Sequence, residues 1–166
     1  MIVLIDNREQ APFTFARWPN IEVKPATLFS GDYSLPGLER SIALERKSLA
    51  DLVTCLASER DRFEHELSRL AGLDFAAVLV EGDFRDLAAG HYRSKLNPRA
   101  AVASVAAFSV RHVPILFGGD RDGAELLCVE LLAKYATNLV RRYGAAVQAV
   151  NRTPADTITA TPANAG

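Results

Sequence analysis

Residues 2–5, Ile-Val-Leu-Ile, form a short apolar run that stops at Asp6, the pattern of a buried strand delivering a polar group at its end. The stretch from Arg8 to Asn20 holds Pro12, Trp18 and Pro19 and predicts an ordered loop. Residues 21–28 predict a second strand in which Pro25, lacking an N–H, favours an edge or a bulge. Ser30-Gly31 and Ser34-Leu35-Pro36-Gly37 predict turns. Residues 40–47 alternate, placing Ile42 and Leu44 on one side and Ala43, Glu45 and Lys47 on the other. Ser48 and Asp51 then form an acidic capping box ahead of a helix with Leu49, Leu52, Val53 and Leu56. Ser58 and Asp61 predict that it restarts or continues, carrying Phe63, Leu67 and Leu70 to a stop at Gly72. Residues 76–80 predict a buried strand, and Asn97-Pro98 a capped helix to about Arg111. A strand at 113–117 and a helix over about 122–143, stopping at Gly144, complete the pattern.

Strands alternating with helices predict an α/β domain whose later strands are parallel and covered on both faces. The domain is expected over 1–145. Residues 146–166, ending in a stretch rich in Ala, Thr and Pro without helical period, are expected as a disordered tail. With 166 residues, 49% hydrophobic and 23% charged, the composition excludes a disordered chain, a collagen-like repeat and a disulfide-stapled miniprotein. No apolar stretch is long enough to span a bilayer, and the N-terminus shows no signal peptide, so the expected location is cytoplasmic. Cys55 and Cys128 both read as small buried hydrophobes rather than a bridge.

A net charge of −1 excludes nucleic-acid binding by bulk electrostatics, so any such surface must be local. Between Leu87 and Gly119 there is no Asp or Glu, whereas Arg93, Lys95, Arg99 and Arg111 supply four positive charges. A solvated basic face accounts for this segregation as readily as a DNA-binding one does. The chemistry-bearing candidates are Asp6, Glu9, Asp32, Glu45 and Lys47. Glu45 and Lys47 share a strand face roughly 7 Å apart, and the connection from Asp32 is short enough to fold it back alongside. Two or three carboxylates with a lysine suit phosphodiester hydrolysis, because hard oxygen ligands hold Mg²⁺ or Mn²⁺ and an ammonium stabilises charge on phosphate oxygens. On spacing alone, a solvated strand end, with Asp51 merely a helix cap, is the better explanation of Glu45, Arg46 and Lys47.

The ordered set Gly31-Asp32-Tyr33, Leu44-Glu45-Arg46-Lys47-Ser48 and Asp51-Leu52 resembles the GD…ERK-x-x-x-D signature of the XPF/Hef-type structure-specific nucleases. Asp6-Asn7-Arg8-Glu9 resembles that family's D-x-R-E strand end, Arg62-Phe63 its GR-hydrophobic element with Asp61 in place of the glycine, and Glu81-Gly82 its E-G strand end. The resemblance spans about residues 2–135. It implies a single restriction-endonuclease-like domain, a central mixed sheet flanked by helices, acting as a metal-dependent endonuclease on flap, fork or branched DNA in repair or recombination. It assigns Asp32 and Glu45 as catalytic metal ligands, with Asp6 and Glu9 completing or supporting the site and Mg²⁺ or Mn²⁺ as cofactor. Lys47 is assigned as the water-orienting or charge-stabilising residue. Arg46 is also treated as functional there, although strict alternation points it to the opposite face.

Arg8 and Arg62 are candidate phosphate contacts. Arg93 and Lys95, beside Tyr92, are candidates for holding a DNA strand. Asp51 reads as a helix cap. His65, His91 and His112 follow no metal spacing. No helix-hairpin-helix module is expected after the last helix, so a homodimer or a protein partner is the expected means of gripping DNA. A subunit that keeps the fold and DNA binding without turnover is the alternative reading.

Overall fold

The computed structural model of the chain describes residues 1–151. Among them, β1 (Ile2–Asp6), β2 (Glu22–Ala26), β3 (Tyr33–Ser34), β4 (Ile42–Ser48), β5 (Phe75–Glu81) and β6 (Ile115–Phe117) form one sheet in the order β2-β1-β3-β4-β5-β6. The helices are α1 (Leu49–Ala57), α2 (Arg60–Leu70), α3 (Phe84–Ala89), α4 (Pro98–Arg111) and α5 (Arg121–Asn151). The sheet is mixed, as expected: β3 runs antiparallel to both β1 and β4, while β4, β5 and β6 are parallel. β2 lies at the edge, where the missing N–H of Pro25 costs no inner ladder bond.

Local chemistry sets most boundaries. The Ser48 hydroxyl accepts the Asp51 N–H at 3.1 Å and donates to the Asp51 carboxylate at 2.7 Å, opening α1. Asn97 accepts from Arg99 N and Ala100 N ahead of Pro98, opening α4. The expected restart at Ser58 differs in detail: Ser58 closes α1, and α2 starts behind Glu59 with no side-chain cap. Two short elements were not expected. One is β3; the other is α3, capped by Asp83 and ended by Gly90 at φ 77°. The last helix also does not stop at Gly144. A glycine costs about 1 kcal/mol in a helix interior, and flanking Ala, Arg and Leu residues carry α5 to Asn151.

The sheet, α1–α4 and the start of α5 belong to one compact unit, Met1–Ala133. The second unit starts at Lys134 and is helical to Asn151. The expected tail therefore begins within a helix, and its remainder, 152–166, lies outside the described residues.

Within the first unit, one sheet face buries Ala43, Val78 and Val80 against Leu52, Leu56, Phe63, Leu67 and Phe108 from α1, α2 and α4. Both cysteines are free and buried, as the sequence predicts. A second apolar group centres on Tyr33, which is fully buried. Phe13 stacks on its ring at 5.0 Å and Phe15 meets it edge-on at 5.9 Å. The Tyr33 hydroxyl accepts the Phe13 N–H, and the buried Glu125 of α5 accepts the Phe15 N–H, so both backbone donors of this loop are satisfied inside. No helix among the described residues is long and apolar enough to cross a membrane.

Candidate active site

Strand alternation decides which charges meet. Glu45 and Lys47 follow Ala43 onto the α1–α2 face of β4, whereas Arg46 follows Ile42 and Leu44 onto the other. The Lys47 ammonium lies 2.5 Å from Glu45 Oε1 and 3.3 Å from Glu66 Oε1, above the Phe63 ring at 5.5 Å. Burial works against the lysine charge, but the two glutamates outweigh it and hold the Lys47 pKa above its ordinary value.

Asp32 reaches this group through its glycine. Gly31 has φ +77°, and a Cβ there would lie 2.9 Å from Ala43 Cβ and 3.1 Å from Leu44 O. Only glycine lets the turn approach β4 so closely. The Asp32 N–H then bonds Leu44 O at 2.8 Å, and Asp32 Oδ2 accepts the Arg46 N–H at 2.7 Å, replacing a backbone ladder bond with a carboxylate. Burial raises the Asp32 pKa from 3.8 to about 7, helped by the negative charges of Glu9 and Glu66. Glu45 is driven up in the same direction, first by burial and then by its hydrogen bond to Glu66 and the charge of Asp32.

The remaining predicted residues sort by their partners. Asp6 is buried with both oxygens occupied. Oδ1 accepts from the Arg8 backbone N–H and Nε, and Oδ2 from Arg8 Nη2 and the Leu28 N–H, at 2.6–3.0 Å. The Arg8 guanidinium foremost lowers the Asp6 pKa. Arg46 makes a two-bond pair with Glu81 at 2.7 and 2.9 Å and a longer contact with Glu9 at 3.5 Å. The alternation therefore holds through Arg46, whose side chain is engaged by Glu81 and Glu9, although the residue borders the same cavity as Asp32, Glu45 and Lys47.

Two adjoining cavities open over these acids. One, of about 530 Å³, is lined by Glu9, Lys47, Asp51 and Thr54 among others; the second, of about 410 Å³, by Asp6, Phe29, Glu66 and Arg69. Arg8, Asp32, Glu45 and Arg62 line both. The carboxylates at 6, 32 and 45 thus converge on one region, flanked by two exposed guanidinium groups. Arg93 lies instead in a neighbouring concavity with His91, Tyr92 and Thr54, and Lys95 lines none of these three cavities. Arg111 pairs with Glu64 at 2.8 Å.

Glu66, beside Lys47, is absent from the residues expected from the sequence, and Glu81, matched there only to a strand-end motif, proves to be the partner of Arg46. Glu66 was legible in principle, since Arg62, Glu66 and Arg69 recur at helical spacing on the face adjoining buried Phe63, Leu67 and Leu70. Among the described residues, no three His, Cys, Asp or Glu side chains are arranged to hold a metal ion by themselves.

Residues 5–129 match the ERCC4 domain family. The chain belongs to this family. Among solved structures, this ERCC4 domain is similar to XPF from Aeropyrum pernix, with 26% identity and a TM-score of 0.66 over 81% of this chain and 61% of that one. A second structure, XPF from Aeropyrum pernix in complex with DNA, matches at 27% identity and a TM-score of 0.59, over 82% and 65%. The ERCC4 domain thus spans under two thirds of the length of either structure. No match was found among curated proteins. The XPF-type resemblance and the mixed-sheet fold expected from the sequence are both borne out.

Proposed function

We propose that this ERCC4 domain is an endonuclease that hydrolyses DNA phosphodiester bonds with Mg²⁺ or Mn²⁺, on flapped, forked or branched substrates. The observation that carries the reading is the shared wall of Asp32 and Glu45 between two cavities, with Lys47 beside it and Arg8 and Arg62 at its rim. The donor set fits a hard cation. Among the described residues one Asp32 oxygen takes no hydrogen bond, and burial raises the pKa of both carboxyl groups even though Glu45 shares the Lys47 ammonium with Glu66. Magnesium commonly takes one or two carboxylates and completes its shell with water and substrate phosphate, so the lack of a three-residue cage agrees with this set.

When bound, the ion would neutralise the scissile phosphate and lower the pKa of water. Asp32 and Glu45 are its holders. Lys47 places a fixed positive charge where the phosphate oxygens gain negative charge, with no reorganisation needed at that moment. Arg62 and Arg8 sit at the edge, exposed enough to bind flanking phosphates. Arg46 acts as a positioning residue: its N–H holds Asp32 while its side chain is tied to Glu81 and Glu9. Asp6 likewise positions, since its oxygens are spent on Arg8 and Leu28. Glu9 supports through its charge beside Asp32.

A gel assay of labelled single-stranded, duplex, flap and fork DNAs, with Mg²⁺, Mn²⁺ or EDTA, tests the proposal. Wild type should nick a branched substrate only with metal, and Asp32→Ala or Glu45→Ala should abolish nicking while the folded spectrum persists. Equal nicking by all three proteins would overturn it. The contact between Lys47 and Glu45 favours a second reading, because at 2.5 Å the ammonium already occupies one coordination direction of that carboxylate. A wild type that binds forks tightly but nicks in neither metal would establish a non-catalytic DNA-binding subunit.

A further inference from the structure

The second cavity carries an aromatic ring that the hydrolytic reading leaves unused. Phe29 is 57% exposed, yet it lines the same cavity as Asp32 and Glu45, three residues before Asp32. An isolated exposed apolar residue needs no explanation, but this one is held firmly. The preceding residue, Leu28, gives its N–H to Asp6 at 2.7 Å and accepts Arg8 Nη2 on its carbonyl at 2.9 Å. On the other side, Gly31 is locked against β4. Phe29 therefore stands on a short backbone segment pinned at both ends.

Guanidinium groups stand around it beside the site's acids. The Arg40 guanidinium lies over the Phe29 ring at 5.1 Å, and Arg62 and Arg69 line the cavity from the exposed face of α2. Ser30, the next residue, lines the same cavity and is itself 6% exposed, so Phe29 is the part of this turn that reaches solvent.

We propose that Phe29 is a stacking platform for an unpaired nucleobase on a single-stranded arm of the DNA, with Arg62 and Arg69 holding the adjacent phosphates. The inference rests on the DNA reading above and adds to it the feature that selects branched over fully paired DNA. Every base has a π-face, so such a platform is tolerant of sequence. In a duplex, however, those faces are already stacked on neighbouring pairs, and only a splayed strand can offer one to Phe29.

The test measures binding in EDTA by fluorescence anisotropy, using single-stranded DNA, a blunt duplex and a flap with 2-aminopurine in the unpaired arm beside the branch. Phe29→Ala should weaken binding of the single strand and the flap by about tenfold, the loss of one base–aromatic stack. Binding to the duplex should change less than about twofold, since the phosphate contacts that dominate it remain. Phe29→Trp should restore both affinities, and wild type should quench the 2-aminopurine where the alanine variant does not. An equal loss on all three DNAs, or none on any, would overturn the platform while leaving the nuclease reading intact. A wild type that binds none of the three would overturn both.

Discussion

Replacing Asp32 by asparagine should make the protein more stable above neutral pH while removing its activity. The side-chain pKa rises from 3.8 to about 7 on folding, because burial disfavours the charged form. Between these values the folded chain holds a proton that the unfolded chain has lost. Stability therefore falls as pH rises from about 4 to about 7, then levels off. At 1.36 kcal/mol per unit, the whole penalty of ionising Asp32 is about 4 kcal/mol, of which about 3 kcal/mol accrues above pH 5. Asparagine keeps an oxygen to accept the Arg46 N–H at this position and carries no charge to desolvate. Its removal also takes away one of the charges that push Glu45 upward.

Urea unfolding with metal chelated, at pH 5 and pH 8, measures the effect. The variant's advantage over wild type should widen by about 2–3 kcal/mol between the two pH values. Added Mg²⁺ should recover much of that difference in wild type at pH 8 and little in the variant, since the ion binds only the native site. A gap that does not change with pH, or a variant less stable at pH 8, would refute the claim that Asp32 is held in an environment short of positive charge.

Two further outcomes follow from the same geometry. Gly31→Ala forces a side chain into φ +77° and within 2.9 Å of Ala43 Cβ; it should cost about 2 kcal/mol or more, lower the thermal midpoint by roughly 5 °C and impair cleavage by displacing Asp32. Arg62→Ala should leave stability within about 0.5 kcal/mol, because its pairing with Glu59 is largely exposed. Its substrate KM should rise several-fold with kcat little changed, and the salt dependence of DNA binding should fall by about one phosphate contact.

How much of this was legible in the sequence varies with the range of the interaction involved. The side-chain caps at Ser48 and Asn97 and the choice of edge or bulge at Pro25 are readable from a few neighbouring residues, and the parallel run β4–β5–β6 from the alternation of strands and helices. So is the division of Glu45 and Lys47 from Arg46. The role of Asp6 was not readable, because the Leu28 N–H that occupies its second oxygen comes from a loop 22 residues away. Glu81 was matched to a motif but gained its role only from Arg46 and Arg121, which reach it from β4 and α5. α3 was missed because six residues are too few to show a period, and its cap, Asp83, lies in a run of turn-forming residues.

The acids of this site look alike in sequence and differ in what surrounds them, and that difference argues for their roles. Asp6 and Glu81 are saturated. Asp6 takes four donor contacts, and Glu81 takes two from Arg46 and one, at 2.6 Å, from Arg121. A carboxylate so supplied has little electron density left for a cation, and its work is to hold a strand end, a loop and an arginine in place. Asp32 accepts one backbone N–H, Glu45 is shared between Lys47 and a second carboxyl group, and both are driven toward the neutral form by burial. The Asp6 pKa is lowered while those of Asp32 and Glu45 are raised, and carboxyl groups pushed apart in this way have separate tasks. The undersupplied pair lies where β3 and β4 meet, on the wall common to both cavities, and gains most from an added positive charge. The saturated acids stand around it as supports. Moving one Arg8-like guanidinium onto Asp32 would stabilise the fold, and the same change would fill the place proposed for the divalent cation.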